Sequence, residues 1–134
     1  MRIGIDARMY GIHQGGIGRY VQQLVDHLTH SLSLLRRGQG EVFKLVLFLS
    51  AEGMKLVPEK SHIKKILTPW HWYTLAEQVH LPRLIKKARV DLMHFPHFNV
   101  PYFCPVPYVV TLHDLILLHT NRQELHLRLL LHFL

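Results

Sequence analysis

Arg2-Ile3-Gly4-Ile5-Asp6, then Gly15-Gly16-Ile17-Gly18-Arg19-Tyr20, is the stretch that decides the fold: a short apolar strand, a loop, and a glycine-rich turn opening a helix. A strand that feeds such a turn into a helix N-terminus leaves unpaired backbone N–H groups where an anion can dock. Glycine also lets the backbone approach a phosphate with no Cβ in the way. The turn matches neither of the best-known phosphate loops. The Gly-Lys-Ser/Thr of a P-loop is absent. A dinucleotide fingerprint starting at Gly16 needs a third glycine where Val21 stands, and an acid after the second strand, which ends Phe48-Leu49-Ser50. On the motif alone, a tight turn without a ligand remains open beside a phosphate site.

Working outward, Ile17, Tyr20, Val21, Leu24, Val25, Leu28 and Leu32 recur at helical spacing and predict a helix from about Gly16 to Leu35. Gly38 and Gly40 break that pattern. Residues 42–49, Val-Phe-Lys-Leu-Val-Leu-Phe-Leu, form the nearly continuous apolar run of a strand buried on both faces of a parallel sheet. His62 to Leu67 reads as a further strand. Thr74 with Glu77 three residues on is a capping-box pattern that opens a second helix. Pro82 is expected to kink or split that helix, which resumes to about Ala88. Val90 to Phe95 and Tyr108 to Leu112 read as strands, separated by a loop with Pro96, Pro101, Pro105 and Pro107. The order β-α-β-β-α-β-β-α predicts an α/β, Rossmann-like, doubly wound and mostly parallel sheet. From about Asn121 the pattern turns helical again and ends Leu-Leu-Leu-His-Phe-Leu without a cap. The expectation is one domain over 1–134, cut inside its last helix.

The chain has 134 residues, 49% hydrophobic and 19% charged, an ordinary globular composition. Its formal net charge of +7 favours anionic partners, and twelve histidines add to it in mild acid. The single Cys104 makes no intramolecular disulfide, so nothing calls for an oxidising compartment. Met1 runs straight into a strand bearing Asp6 and Arg8, with no signal-peptide pattern and no apolar run of spanning length. A cytoplasmic protein, soluble or at a membrane surface, is the expectation.

In an open α/β sheet, ligands bind beyond the carboxyl ends of the strands. His94 and His97 close one strand, and His113 with Asp114 closes the next, on the edge that also carries the glycine turn. His113 beside Asp114 fits a polarised donor aimed at a sugar hydroxyl or a developing charge; a strand-end pair bonding local backbone is the even alternative. His94 and His97 have a metal-like spacing, but Pro96 between them forbids a shared helical face and no third ligand is evident, so no metal is expected. Trp70-His-Trp-Tyr73 near Lys64-Lys65 suits a membrane interface or an acidic headgroup, against the plainer reading of solvated lysines and one core Trp. No helix carries a continuous basic stripe and no single-strand stacking platform is recognisable, which speaks against nucleic acid.

Taken in order, Met1-Arg-Ile-Gly-Ile-Asp-Ala-Arg8, Gly15-Gly-Ile-Gly-Arg-Tyr20, Glu77-Gln78, Leu81-Pro82, Asp91-Leu-Met-His94-Phe-Pro and Thr111-Leu-His-Asp114 resemble the N-terminal domain of GT-B glycosyltransferases of family 4. The resemblance covers essentially the whole chain. It implies the N-terminal, acceptor-side half of a retaining enzyme that moves a sugar from a nucleotide-sugar to a glycan or lipid-linked acceptor. The nucleotide-sugar is then a co-substrate, and neither metal nor other cofactor is expected. Gly15, Gly16 and Gly18 match the loop that approaches the donor diphosphate. His113 matches the cleft histidine that contacts the transferring sugar, and Asp114 its neighbour; both are the catalytic candidates. Asp6, Arg19, Tyr20 and His94 are candidates for the acceptor side of the cleft. The family's second domain, with its Glu-x7-Glu motif and the cations that neutralise the leaving diphosphate, has no counterpart in these residues. Since transfer needs a closed, dry cleft, the isolated chain is expected to be inactive. Two rivals stay open: a non-catalytic α/β binding module or subunit pairing with a separate donor-binding chain, and an unrelated nucleotide-binding Rossmann protein.

Overall fold

The computed structural model describes residues 1–11, 13, 15–35 and 43–113. Asp114 and the C-terminal stretch read as a helix from about Asn121 lie outside the described residues. The chain order is β1 (Arg2–Asp6), α1 (Gly15–Leu35), β2 (Lys44–Leu49), α2 (Ala51–Leu56), β3 (Ile63–Leu67), α3 (Leu75–Ala88), β4 (Leu92–Phe95) and β5 (Tyr108–Val110). The five strands form one sheet in the order β3-β2-β1-β4-β5, with every pairing parallel. It is the α/β, Rossmann-like architecture that the alternation predicts.

Helices cover both faces because the strand residues alternate between two cores. Leu45, Leu47 and Leu49 of β2 pack with Ile5 against Val21 and Val25 of α1. Val46 and Phe48 turn the other way and meet Met93 and Phe95 of β4 with Leu81, Ile85 and Ala88 of α3. Each fully buried Val, Leu, Ile, Phe or Met among them contributes about 1.5–3 kcal/mol. β2 is buried from Leu45 to Leu49, which explains its unbroken apolar sequence.

The helix α2 has no counterpart in the predicted order. It is one and a half turns, too short to show periodicity, and its signal is local. Ser50 is the N-cap, its hydroxyl accepting from the Gly53 N–H, and Glu52 sits in the first turn. Its far end is held from β3, where Lys65 Nζ donates to the Met54 and Val57 carbonyls at 3.0 and 2.9 Å. Lys65 is therefore a capping side chain and not part of a solvated basic face.

Pro82 neither splits α3 nor ends it; the helix runs unbroken from Leu75 to Ala88. Proline costs the hydrogen bond to the Gln78 carbonyl. The buried Leu81 and Ile85 on either side hold both turns against the sheet, and that burial outweighs the lost bond. The strands at 63–67, 92–95 and 108–110 are shorter than the apolar runs that announced them.

Parallel neighbours need a crossover, most often a helix. Between β4 and β5 the crossover is the proline-rich segment 96–107, whose Val100, Cys104 and Val106 pack on the α3-side core in a helix's place. The chain leaves β1 for β2 and β3 on one side, then returns to β4 and β5 on the other. The switch point lies between β1 and β4, and a crevice opens there beyond the carboxyl ends of the strands.

Candidate functional site

Two polar clusters occupy that carboxyl edge, one on each side of the sheet. On the α3 side the centre is Arg8, just past β1. Its Nε donates to Asp6 Oδ1 at 2.8 Å, and its Nη2 donates to Asp6 Oδ2 at 2.6 Å and to Glu77 Oε1 at 2.5 Å. The side chains of Arg8 and Glu77 are each 1% exposed. Burial opposes the guanidinium's charge, but the attraction and hydrogen bonds of Asp6, then of Glu77, outweigh it and raise the pKa. Arg8 Nη1 is buried and has no hydrogen-bond partner among the described residues.

Glu77 is the surprise of this cluster. The capping-box pattern assigns its carboxylate to the backbone N–H of Thr74. Only half of that box forms: the Thr74 hydroxyl accepts from the Glu77 N–H at 3.2 Å. The carboxylate instead accepts from the Tyr73 N–H at 2.7 Å through Oε2, and from Arg8 and Asn99 Nδ2 through Oε1. Tyr73 takes up the left-handed backbone region, with φ 60°, to present that N–H. Asp6, Trp72, His97 and Asn99 line the crevice beside the cluster.

On the α1 side the hub is Thr111. Its hydroxyl lies 2.8 Å from His94 Nε2 and 3.3 Å from the Tyr20 hydroxyl. Tyr20, one turn into α1, packs edge-on against the His113 ring, with centroids 4.9 Å apart. His113 Nε2 lies 2.7 Å from the Pro96 carbonyl oxygen. A carbonyl can only accept, so Nε2 carries a proton and donates it to local backbone. Desolvation pushes the His94 pKa below the usual histidine value, so His94 is held neutral. Residues Pro96 and Asn99 of one short loop join the two clusters.

The glycine turn occupies the same edge. Gly15 has φ +68°, a conformation that favours glycine, whereas Gly16 has no such constraint. A Cβ added to either would meet nothing within 4 Å, so the space over the start of α1 is open. Gly18 is buried. α1 carries no acidic residue in its first turn, so no carboxylate of its own competes for the turn's N–H groups.

Of the candidates from sequence, Tyr20, His94 and His113 come together and Asp6 joins the other cluster. Arg19 is exposed on α1, and Asp114 lies outside the described residues. His94 and His97 have separate partners: His97 Nδ1 accepts from the Asn99 N–H at 3.4 Å, while His94 faces Thr111. Among the described residues no group of three or more His, Cys, Asp or Glu could hold a metal ion. Sequence reasoning assigned no site role to Thr111, Arg8 or Asn99, and gave Glu77 only a capping one. Strand parity could have found Thr111, since Val110 faces the α3-side core and the next residue must face the other way. No family model, no curated protein and no solved structure matches this chain.

Proposed function

We propose that this chain is the N-terminal, acceptor-side half of a GT-B retaining glycosyltransferase, which transfers a sugar from a nucleotide-sugar to a glycan or lipid-linked acceptor in the cytoplasm. The observation that carries the reading is the approach of Tyr20 to His113, which joins the turn-bearing end of α1 to a histidine on the carboxyl edge of the sheet. In this reading the open turn at Gly15 and Gly16 receives the donor diphosphate, with buried Gly18 supporting it from the first turn of α1. His113 has its Nε2–H committed to the Pro96 carbonyl, which leaves Nδ1 as the ring nitrogen that meets a hydroxyl of the transferring sugar. Tyr20, Thr111 and His94 hold that ring in place. The leaving diphosphate still needs cations that the donor-side half of such an enzyme supplies, so these 134 residues alone bind weakly and turn nothing over.

The test is saturation-transfer NMR on the chain with UDP-glucose, GDP-mannose and dTDP-rhamnose as probes. Sugar-proton signals from at least one donor that vanish in His113→Ala, with the fold unchanged, are the expected result. Signals indifferent to His113 would leave an unrelated nucleotide-binding protein as the better reading.

A further inference from the structure

We infer that the outer face of α3 and the tip of the 98–103 loop form a docking surface for an anionic lipid bilayer, beside the mouth of the candidate site. Tyr102 and Phe103 are 79% and 78% exposed, and Phe98, Leu75 and Val79 are exposed as well. Leu75 and Val79 stand four residues apart on the face of α3 opposite its buried Glu77, Leu81, Ile85 and Ala88. The loop is fixed to the flank of this helix: the Tyr102 N–H donates to Gln78 Oε1 at 2.7 Å. The apolar residues are thus presented on a rigid support at the carboxyl edge of the sheet, close to Asn99 and the crevice.

The charge beside them identifies the occupant. The exposed face of α3 continues from Val79 to Arg83, Lys86 and Lys87, all exposed. Between residues 60 and 90 the only acid is Glu77, which is buried against Arg8. An amphipathic face with aromatic and aliphatic residues at one end and, along it, cations in no ion pair among the described residues matches the headgroup boundary of an anionic membrane. A partner protein would be expected to meet the cations with acids, whereas a bilayer meets both halves at once. The aromatic segment 70–73 near Lys64 and Lys65, which suggests such contact in the sequence, serves other ends. Trp70 stacks on His80, Trp72 lines the crevice and Lys65 caps α2. The docking inference rests on the glycosyltransferase reading only for its purpose, which is to bring a lipid-linked acceptor to the cleft; the surface itself stands independently.

The experiment is co-sedimentation of the 134-residue chain with vesicles of phosphatidylcholine alone and of phosphatidylcholine with about one-third phosphatidylglycerol, at low and high salt. Binding to the anionic vesicles is expected, weakened by salt and nearly absent with the zwitterionic ones. Tyr102→Ser with Phe103→Ser, at exposed positions, is expected to lower the binding at least tenfold, with circular dichroism unchanged. Independently, Arg83→Gln, Lys86→Gln and Lys87→Gln together are expected to lower it by a factor on the order of 100, at roughly a factor of five per charge. Absence of binding to anionic vesicles at low salt would overturn the proposal. So would binding that ignores the aromatic pair, since that is adsorption of any basic protein. Self-association abolished by Phe103→Ser, without vesicle binding, would assign the patch to a second copy instead. None of these outcomes depends on donor binding, which the NMR probes read separately.

Discussion

Arg8 and Glu77, 69 residues apart in sequence, meet at 2.5 Å with both side chains buried, and so lock the segment after β1 to the first turn of α3. Breaking one partner of a buried pair leaves an uncompensated charge, which costs about 3–5 kcal/mol. Glu77→Gln keeps the shape and removes the charge while Asp6 still compensates Arg8, so a loss near the lower end, about 3 kcal/mol, is expected from urea unfolding. Arg8→Lys is expected to lose a similar amount, because an ammonium cannot reproduce the forked donation to two carboxylates. A change under about 0.5 kcal/mol in both variants would show that the cluster is not a structural lock.

Gly15 and Gly16 separate a backbone requirement from a ligand requirement. Gly15→Ala is expected to cost about 1–2 kcal/mol, because its φ of +68° is strained for alanine. Gly16→Ala meets no atom and lies in a helix, so stability is expected to hold or rise by up to about 1 kcal/mol. The same Gly16→Ala places a methyl group over the turn and is expected to abolish the amide response to a diphosphate. Thermal melts and an amide NMR titration with pyrophosphate read the two effects on one protein.

The neutral His94 gives a pH dependence of definite sign. Its folded pKa lies below the unfolded value of about 6.5, so below that pH the unfolded chain binds a proton that the folded chain refuses. The His94 contribution to stability is complete above about pH 6.5 and is lost as the pH falls toward the folded pKa. Urea midpoints from pH 7.5 down to 5 are expected to fall more steeply for the native chain than for His94→Gln. Equal slopes would mean that His94 titrates normally.

Thr111 connects His94 to Tyr20. Thr111→Val keeps the shape and removes the hydroxyl, at an expected cost of about 1 kcal/mol for the polar groups left without it. Thr111→Ser is expected to restore most of that. If Thr111→Val and Tyr20→Phe prove additive in a double-mutant cycle, the 3.3 Å contact carries no energy.

The two-core sheet was legible because its signals are local and repeated. The unbroken Leu45–Leu49 run and the helical spacing of Val21 and Val25 each match one buried face. What stayed hidden depends on long-range pairing. Glu77 reads as a capping residue because Thr74 is three positions away, and nothing nearby announces a guanidinium from residue 8. The failed split at Pro82 has the same cause, since tertiary burial of Leu81 and Ile85 overrides a local helix breaker. Tyr20, His94 and His113 were legible as strand-end and helix-start residues, whereas their joining atom, the Thr111 hydroxyl, belongs to a residue type common on any strand.

If the glycine turn and His113 together face a nucleotide-sugar, amide NMR titration of the chain with pyrophosphate and then with a donor sugar nucleotide registers both ends of that ligand. Millimolar-range shifts are expected to concentrate at Gly15, Gly16 and Gly18 for both probes, joined by the His113 ring signals only when the sugar is present, and all lost in Gly16→Ala. Shifts confined to lysine-rich surface segments, or a turn that ignores both probes, would contradict it.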